Sequence, residues 1–154
     1  LKILISYFYQ IRNFKHNFIP ISTAAWPPKY FKQNGHQFKD KNGVWNGIEA
    51  AEFIPGLELA GLCRGPNGCQ KIGSYCDFLQ AYRKQLDKLN FASIMEKFEK
   101  LGQKVKDFEN FEEEPVCVLI VFETPKNPCS ERIPLQNWFE DNGYILEEFD
   151  KSKI

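Results

Sequence analysis

The sequence predicts one α/β domain, a Rossmann-like sandwich with a mostly parallel sheet flanked by helices. Val116 to Phe122 is an apolar run without polar alternation, the pattern of a strand buried on both faces as in a parallel sheet. A Pro/Asn-rich loop, an amphipathic segment from about Ser130 to Asp141 and a short apolar segment, Tyr144 to Phe149, follow it. Strand, helix, strand is the order of a right-handed crossover. The chain has 154 residues, 43% hydrophobic and 15% aromatic, which suits a single core rather than two or a disordered segment. The domain is therefore read as residues 1–154, with loop insertions at about 32–46 and 61–76.

Ile3 to Phe8 reads as a first strand, rich in β-branched and aromatic residues. Gln10 to Asn17 is a polar loop. Phe18 to Thr23 is a second strand, ended by Trp26-Pro27-Pro28, since consecutive prolines cannot continue a ladder. Residues 32–46 suggest a hairpin or irregular loop. Asn46 is positioned to cap a short helix running to about Phe53. A Gly-rich loop leads to Asp77, a candidate cap for a helix through Leu86. Asn90 caps the next, whose buried stripe is Ile94, Met95, Phe98, Leu101 and Val105. Glu112 to Glu114 read as a solvated connector into the third strand. Asn142-Gly143 suits a left-handed end to the last helix.

Twenty basic residues balance twenty acidic ones. Nucleic acid is therefore a partner that net charge does not favour, although a local basic patch is compatible with it. No stretch approaches the ~20 apolar residues of a membrane span. Five cysteines, an odd number, and no recognisable secretion signal give the expectation of a cytoplasmic protein.

Ser6-Tyr7-Phe8-Tyr9-Gln10-Ile11-Arg12, Ile19-Pro20-Ile21-Ser22 and Pro27-Pro28-Lys29-Tyr30-Phe31 resemble the N-terminal pattern of the domain-of-unknown-function 488 family. The second half resembles that family too: a hydrophobic strand, Val118 to Phe122, then Glu123, Cys129, Arg132 and a helix with Asn137-Trp138-Phe139. Tyr82 to Leu89 fits the family's Tyr…Leu…Leu helix more loosely. Many members carry Cys-His-Arg where this chain has Cys129-Ser130-Glu131-Arg132, so a histidine acid or base is missing or moved. The resemblance implies a fold and a site location. It implies no particular activity.

The strand-to-helix order places Glu123, Cys129, Ser130 and Arg132 at the carboxyl end of a central strand, where open α/β sheets bind ligands. A thiol at a helix N-terminus beside a guanidinium is favoured as thiolate, which makes Cys129 a candidate nucleophile with Arg132 and Glu123 as catalytic companions. The same first-turn amides and Arg132 would equally hold a phosphate or carboxylate. A structural reading stands beside both: Ser130 caps the helix and Arg132 pairs with an acid such as Glu123. Arg12, following the first strand, would reach the same rim if strands one and three are parallel neighbours. With Lys29, Ser6, Tyr7 and Ser22 it would then form a cationic, ligand-binding crevice.

Cys63, Cys69 and Cys76 offer three thiols for a metal, but no Cys-x2-Cys or histidine completes a familiar set, so no metal is expected. No Gly-x-Gly-x-x-Gly or P-loop occurs, and no cofactor is implied. Trp26, Tyr30, Phe31, Trp45 and Tyr75 are candidates to stack a base, with core packing as the simpler use of most of them. The leading expectation is a small anionic, nucleotide-like or phosphorylated ligand, with hydrolase or transferase as the enzyme classes. The alternatives are a non-catalytic nucleotide- or nucleic-acid-binding module and a protein-interaction protein.

Overall fold

Val116–Val121 forms the central strand of a six-stranded sheet in the computed structural model, which describes residues 1–32, 37–39, 45–59, 62 and 76–153. The strands are β1 (Lys2–Tyr7), β2 (Phe18–Ser22), β3 (Gln37–Lys39), β4 (Trp45–Glu49), β5 (Val116–Val121) and β6 (Glu147–Glu148). Their order is β3-β4-β2-β5-β1-β6. Five run parallel, and β3 joins antiparallel at the edge of β4. All six residues of β5 are buried, as an apolar strand covered on both faces should be. It pairs with β1 from Lys2↔Val116 to Tyr7↔Val121 and with β2 from Phe18↔Val116 to Ser22↔Ile120. Pro20 has no N–H to give, and the pairing of β2 with β4 begins only after it, at Ile21.

The strand period of two divides the core. Ile3, Ile5, Ile19, Ile21, Leu119 and Val121 face one side. They pack against α1 (Asp77–Asp87), α2 (Phe91–Glu109) and α3 (Arg132–Asp141) through Phe78, Tyr82, Ile94, Phe98, Leu135 and Phe139. The other side, with Leu4, Val118 and Ile120, is covered by Phe8 and Ile11 of a 3₁₀ turn (Phe8–Asn13) and by Phe31 and Phe149. The architecture is thus a Rossmann-like α/β fold in which the α-helices among the described residues lie on one face. Among the described residues, no helix is long and apolar enough to cross a membrane.

Local signals set the helix ends. Asn90 accepts a hydrogen bond from the Ser93 amide at 2.9 Å and starts α2. Gly143, at φ +86°, ends α3: its amide donates to the Glu140 carbonyl and that of Tyr144 to the Phe139 carbonyl. Both bonds belong to a Schellman cap, whose left-handed residue favours glycine.

The segment from Asn46 to Phe53 departs most from expectation. The helix expected from Asn46 to Phe53 is instead strand β4 followed by a 3₁₀ turn, Ala51–Phe53. Ile48 lies beside Ile21 of β2, and the Ala50 amide donates to the Ser22 carbonyl. A side chain at Gly47 would occupy the space of the Phe31 ring, so the glycine serves close packing. The strand expected from Tyr144 is shortened to Glu147–Glu148.

Candidate functional site

The crossovers fix where a crevice opens. From β2 the chain runs outward to β3 and β4; from β5 it runs the other way, through α3 to β6. The adjacent ends of β2 and β5 are therefore the topological switch point, the position at which open parallel sheets leave a crevice. A cleft of about 320 Å³ lies there, lined by Ala24, Ala25 and Trp26 after β2, Phe122 and Glu123 after β5, Glu131 before α3, and Pro55. Its size is at the lower end for small-molecule sites. Trp26 is 66% exposed and Phe122 59% exposed, large aromatic surfaces left to solvent at the mouth. Glu131 is only 3% exposed. Burial, and then the negative charge of Glu131, push the Tyr82 phenol well above its ordinary range. That phenol stays protonated and donates to the Phe53 carbonyl at 2.6 Å.

Arg132 lies beside this cleft but turns away from it. It is 4% exposed. Its Nε donates to Glu148 Oε1 at 2.7 Å and its Nη2 reaches Oε2 at 3.4 Å. Nη1 donates to the Glu123 carbonyl at 2.8 Å, with Ser130 Oγ at 3.4 Å. The guanidinium therefore ties the loop after β5 to edge strand β6. The acid it pairs with is Glu148; Glu123 supplies only a backbone oxygen. Glu148 is pulled two ways: burial raises its carboxyl above the usual range, and Arg132 lowers it by less.

No protein-family model, curated protein or solved structure gives a significant match to the chain. Its chemistry is therefore read from its own residues.

Arg12, which was to share a rim with Arg132, is exposed. Its guanidinium carbon sits 3.7 Å from the Tyr9 ring centre, and its Nε donates to the Tyr9 carbonyl. β1 and β5 are parallel neighbours as expected, yet the two arginines share no partner. The shared cationic crevice is thus corrected: one guanidinium is used inside the fold and the other lies on its own turn. Ser6, Ser22 and Ser130 are fully buried and line no part of the cleft. Ser22 Oγ accepts from the Ala24 amide. Ser130 Oγ accepts from the Arg132 amide at 3.1 Å and lies 3.4 Å from Glu123 Oε2. Ser6 Oγ is buried without a hydrogen-bond partner, beside Ile120. The Tyr7 hydroxyl accepts from Gln10 Nε2, and Lys29 is exposed at the start of a 3₁₀ turn.

Cys129 is 8% exposed, and its amide donates to Asn127 Oδ1. α3 begins at Arg132, three residues after it, and not at Ser130. The thiol is therefore outside the first helical turn that the activated-thiolate reading required. Cys76 is buried at the start of α1, while Cys63 and Cys69 lie outside the described residues. Among the described residues no cluster of three metal-ligating side chains occurs. Of the candidate stacking residues, Trp26 lines the cleft. Phe31 is core at 1% exposure, and Tyr75 lies outside the described residues.

Glu131 and Pro55 entered no sequence-based site. Position signals only the residues that directly follow β2 and β5, such as Ala24 and Phe122; Glu131 and Pro55 are brought to the cleft by the tertiary fold.

Proposed function

We propose that this protein binds a small organic ligand with a planar or apolar body in the crevice between the ends of β2 and β5. The observation that carries this reading is the coincidence of the strand-order switch between β2 and β5 with a cleft bearing two exposed aromatic rings, Trp26 and Phe122. The rings supply stacking surface, and the carboxylates of Glu123 and Glu131 supply hydrogen-bond acceptors. The nucleotide-like ligand expected from the sequence keeps its planar part in this reading and loses its phosphate. The resemblance to the domain-of-unknown-function 488 family is carried as part of the same proposal, supported by the β5–loop–α3 segment in which the matching residues lie.

Hydrolase or transferase chemistry is a second reading. It is favoured by two carboxylates of unequal burial on one cleft, the arrangement that separates a general acid from a general base. Turnover of model esters or glycosides that is lost in Glu123→Gln would support it.

The binding reading is tested by titrating the full chain with adenosine, tryptamine and inorganic phosphate while following the Trp26 indole resonance. A planar compound should shift that resonance, and Trp26→Ala should abolish its binding. Phosphate binding that depends on Arg12 and ignores Trp26 would overturn the reading in favour of an anion site.

A further inference from the structure

We infer that Ser6 is a second anchor for the crevice ligand: its hydroxyl bonds a neutral alcohol group of the ligand that enters behind the Phe122 ring. The inference rests on the crevice being the ligand site, and it adds a residue and the chemistry of the ligand's buried end. Ser6 is fully buried, and among the described residues its Oγ has no hydrogen-bond partner. The other buried serine and threonine hydroxyls described are all used. Ser22 Oγ accepts from the Ala24 amide, Thr23 Oγ1 donates to the Ile120 carbonyl at 3.0 Å, and Ser130 Oγ accepts from the Arg132 amide. An alanine would fill the same strand position without the cost of an unpaired buried hydroxyl. A fold that pairs its neighbours and leaves this one bare holds it for a partner from outside the chain.

Position supplies the route. Ser6 follows Leu4 by two residues, so it shares the sheet face of Leu4 and Ile120 and not that of Ile3 and Ile5. Ser6, Ile120 and Ser22 form one row across β1, β5 and β2. Phe8, Phe122 and Ala24 stand two residues further on in the same three segments, and Phe122 and Ala24 line the cleft. Ser6 therefore lies one row beneath the cleft, roofed by two rings: Phe8 and Phe122 meet edge to face with centroids 6.0 Å apart. The rings differ in freedom. Phe8 is buried and braced by Phe31 at 5.4 Å. Phe122 is 59% exposed, so turning outward costs it little packing, and exposed side chains change rotamer rapidly. The space the ring vacates is what the ligand's alcohol takes. The surroundings on that face are apolar: Leu4, Phe8 and Ile120. A charged group would lose its hydration there, whereas an alcohol both gives and accepts a hydrogen bond with a serine.

The test uses three indoles with the full chain, by calorimetry: tryptophol, 3-propylindole, which has a methyl in place of the hydroxyl, and indole-3-acetate. Ser6→Ala should weaken tryptophol about 2- to 10-fold, the range of one neutral hydrogen bond, and leave 3-propylindole unchanged. Indole-3-acetate should bind most weakly to the wild type, because its carboxylate would be buried among apolar side chains. Free of ligand, Ser6→Ala should unfold at the same or a higher urea concentration than wild type. A lower one would show that the hydroxyl has a partner within the fold and overturns the inference. In the tryptophol complex the nuclear Overhauser contact between the Phe8 and Phe122 rings should be lost; its persistence at saturation overturns the inference as well. Tryptophol binding that needs Trp26 but is unchanged in Ser6→Ala overturns the role of Ser6 and leaves the crevice reading standing. Failure of all three indoles to bind overturns both.

Discussion

The turn after β1 and the turn after β5 start from similar material. Each leaves the carboxyl end of a strand at the middle of the sheet, and each carries an arginine in a polar stretch. After β1 the chain makes a six-residue 3₁₀ turn that lays Phe8 and Ile11 on the sheet, and Arg12 is left outside on the Tyr9 ring. After β5 the chain makes a longer loop into α3, and Arg132 is drawn under it to Glu148 on the edge strand. The difference is one of partners. An arginine whose only neighbours are its own turn stays in solvent. One that meets a carboxylate from sixteen residues on becomes an internal tie, and its charge is no longer offered to a ligand.

The sharpest way to break this contrast is Arg132→Ala. It leaves Glu148 without its guanidinium and frees the loop after β5, so the loss should be about 3–5 kcal/mol, read from urea denaturation. A loss under about 1 kcal/mol would equate the pair with an exposed one and return Arg132 to the ligand. Gly143→Ala tests the other end of α3. An L side chain at φ +86° should cost about 1–2 kcal/mol.

A third effect is expected in pH dependence. The Glu148 carboxyl is raised above its unfolded value, chiefly by burial. The folded state then holds this proton more tightly than the unfolded chain. The stability Glu148 contributes is present below the ordinary carboxylate range and lost as pH rises through its folded pKa. Wild type should therefore gain on Glu148→Gln as pH falls from neutral toward that range. A gain in the opposite direction would mean that the Arg132 contact outweighs burial. Arg12→Ala should show the smallest effect, about 0.5 kcal/mol, the value of an exposed cation–π contact. A loss matching that of Arg132→Ala would erase the distinction between the two turns.

Cys117 and Cys129 show how similar-looking residues part once burial is known. Cys117 lies mid-strand, and burial pushes its thiol up to about 12, which makes it inert in the folded protein. Cys129, chosen for its place between strand and helix, is also buried, and α3 starts beyond it. Its location near the strand end was legible. Its access to solvent was not, because access depends on how the loop from Glu123 to Glu131 folds back over the sheet.

By itself, the sequence determined whatever depends on short chain separations. The apolar run at Val116 had to be a central strand. Asn90 had to cap α2 through the Ser93 amide, and Gly143 had to end α3, because these bonds span only a few residues. Fold class follows from those elements and their order. Tertiary structure alone decided that residues 45–49 add a strand to β2 instead of starting a helix, since Ile48 and Gly47 answer to Ile21 and Phe31. It also decided which residues line the crevice. Trp26 and Glu131 meet across roughly two-thirds of the chain, while Arg132 is withdrawn by Glu148. Local pattern encodes hydrogen bonds between near neighbours; the lining of a site is set by which distant side chains the sheet order brings to one edge.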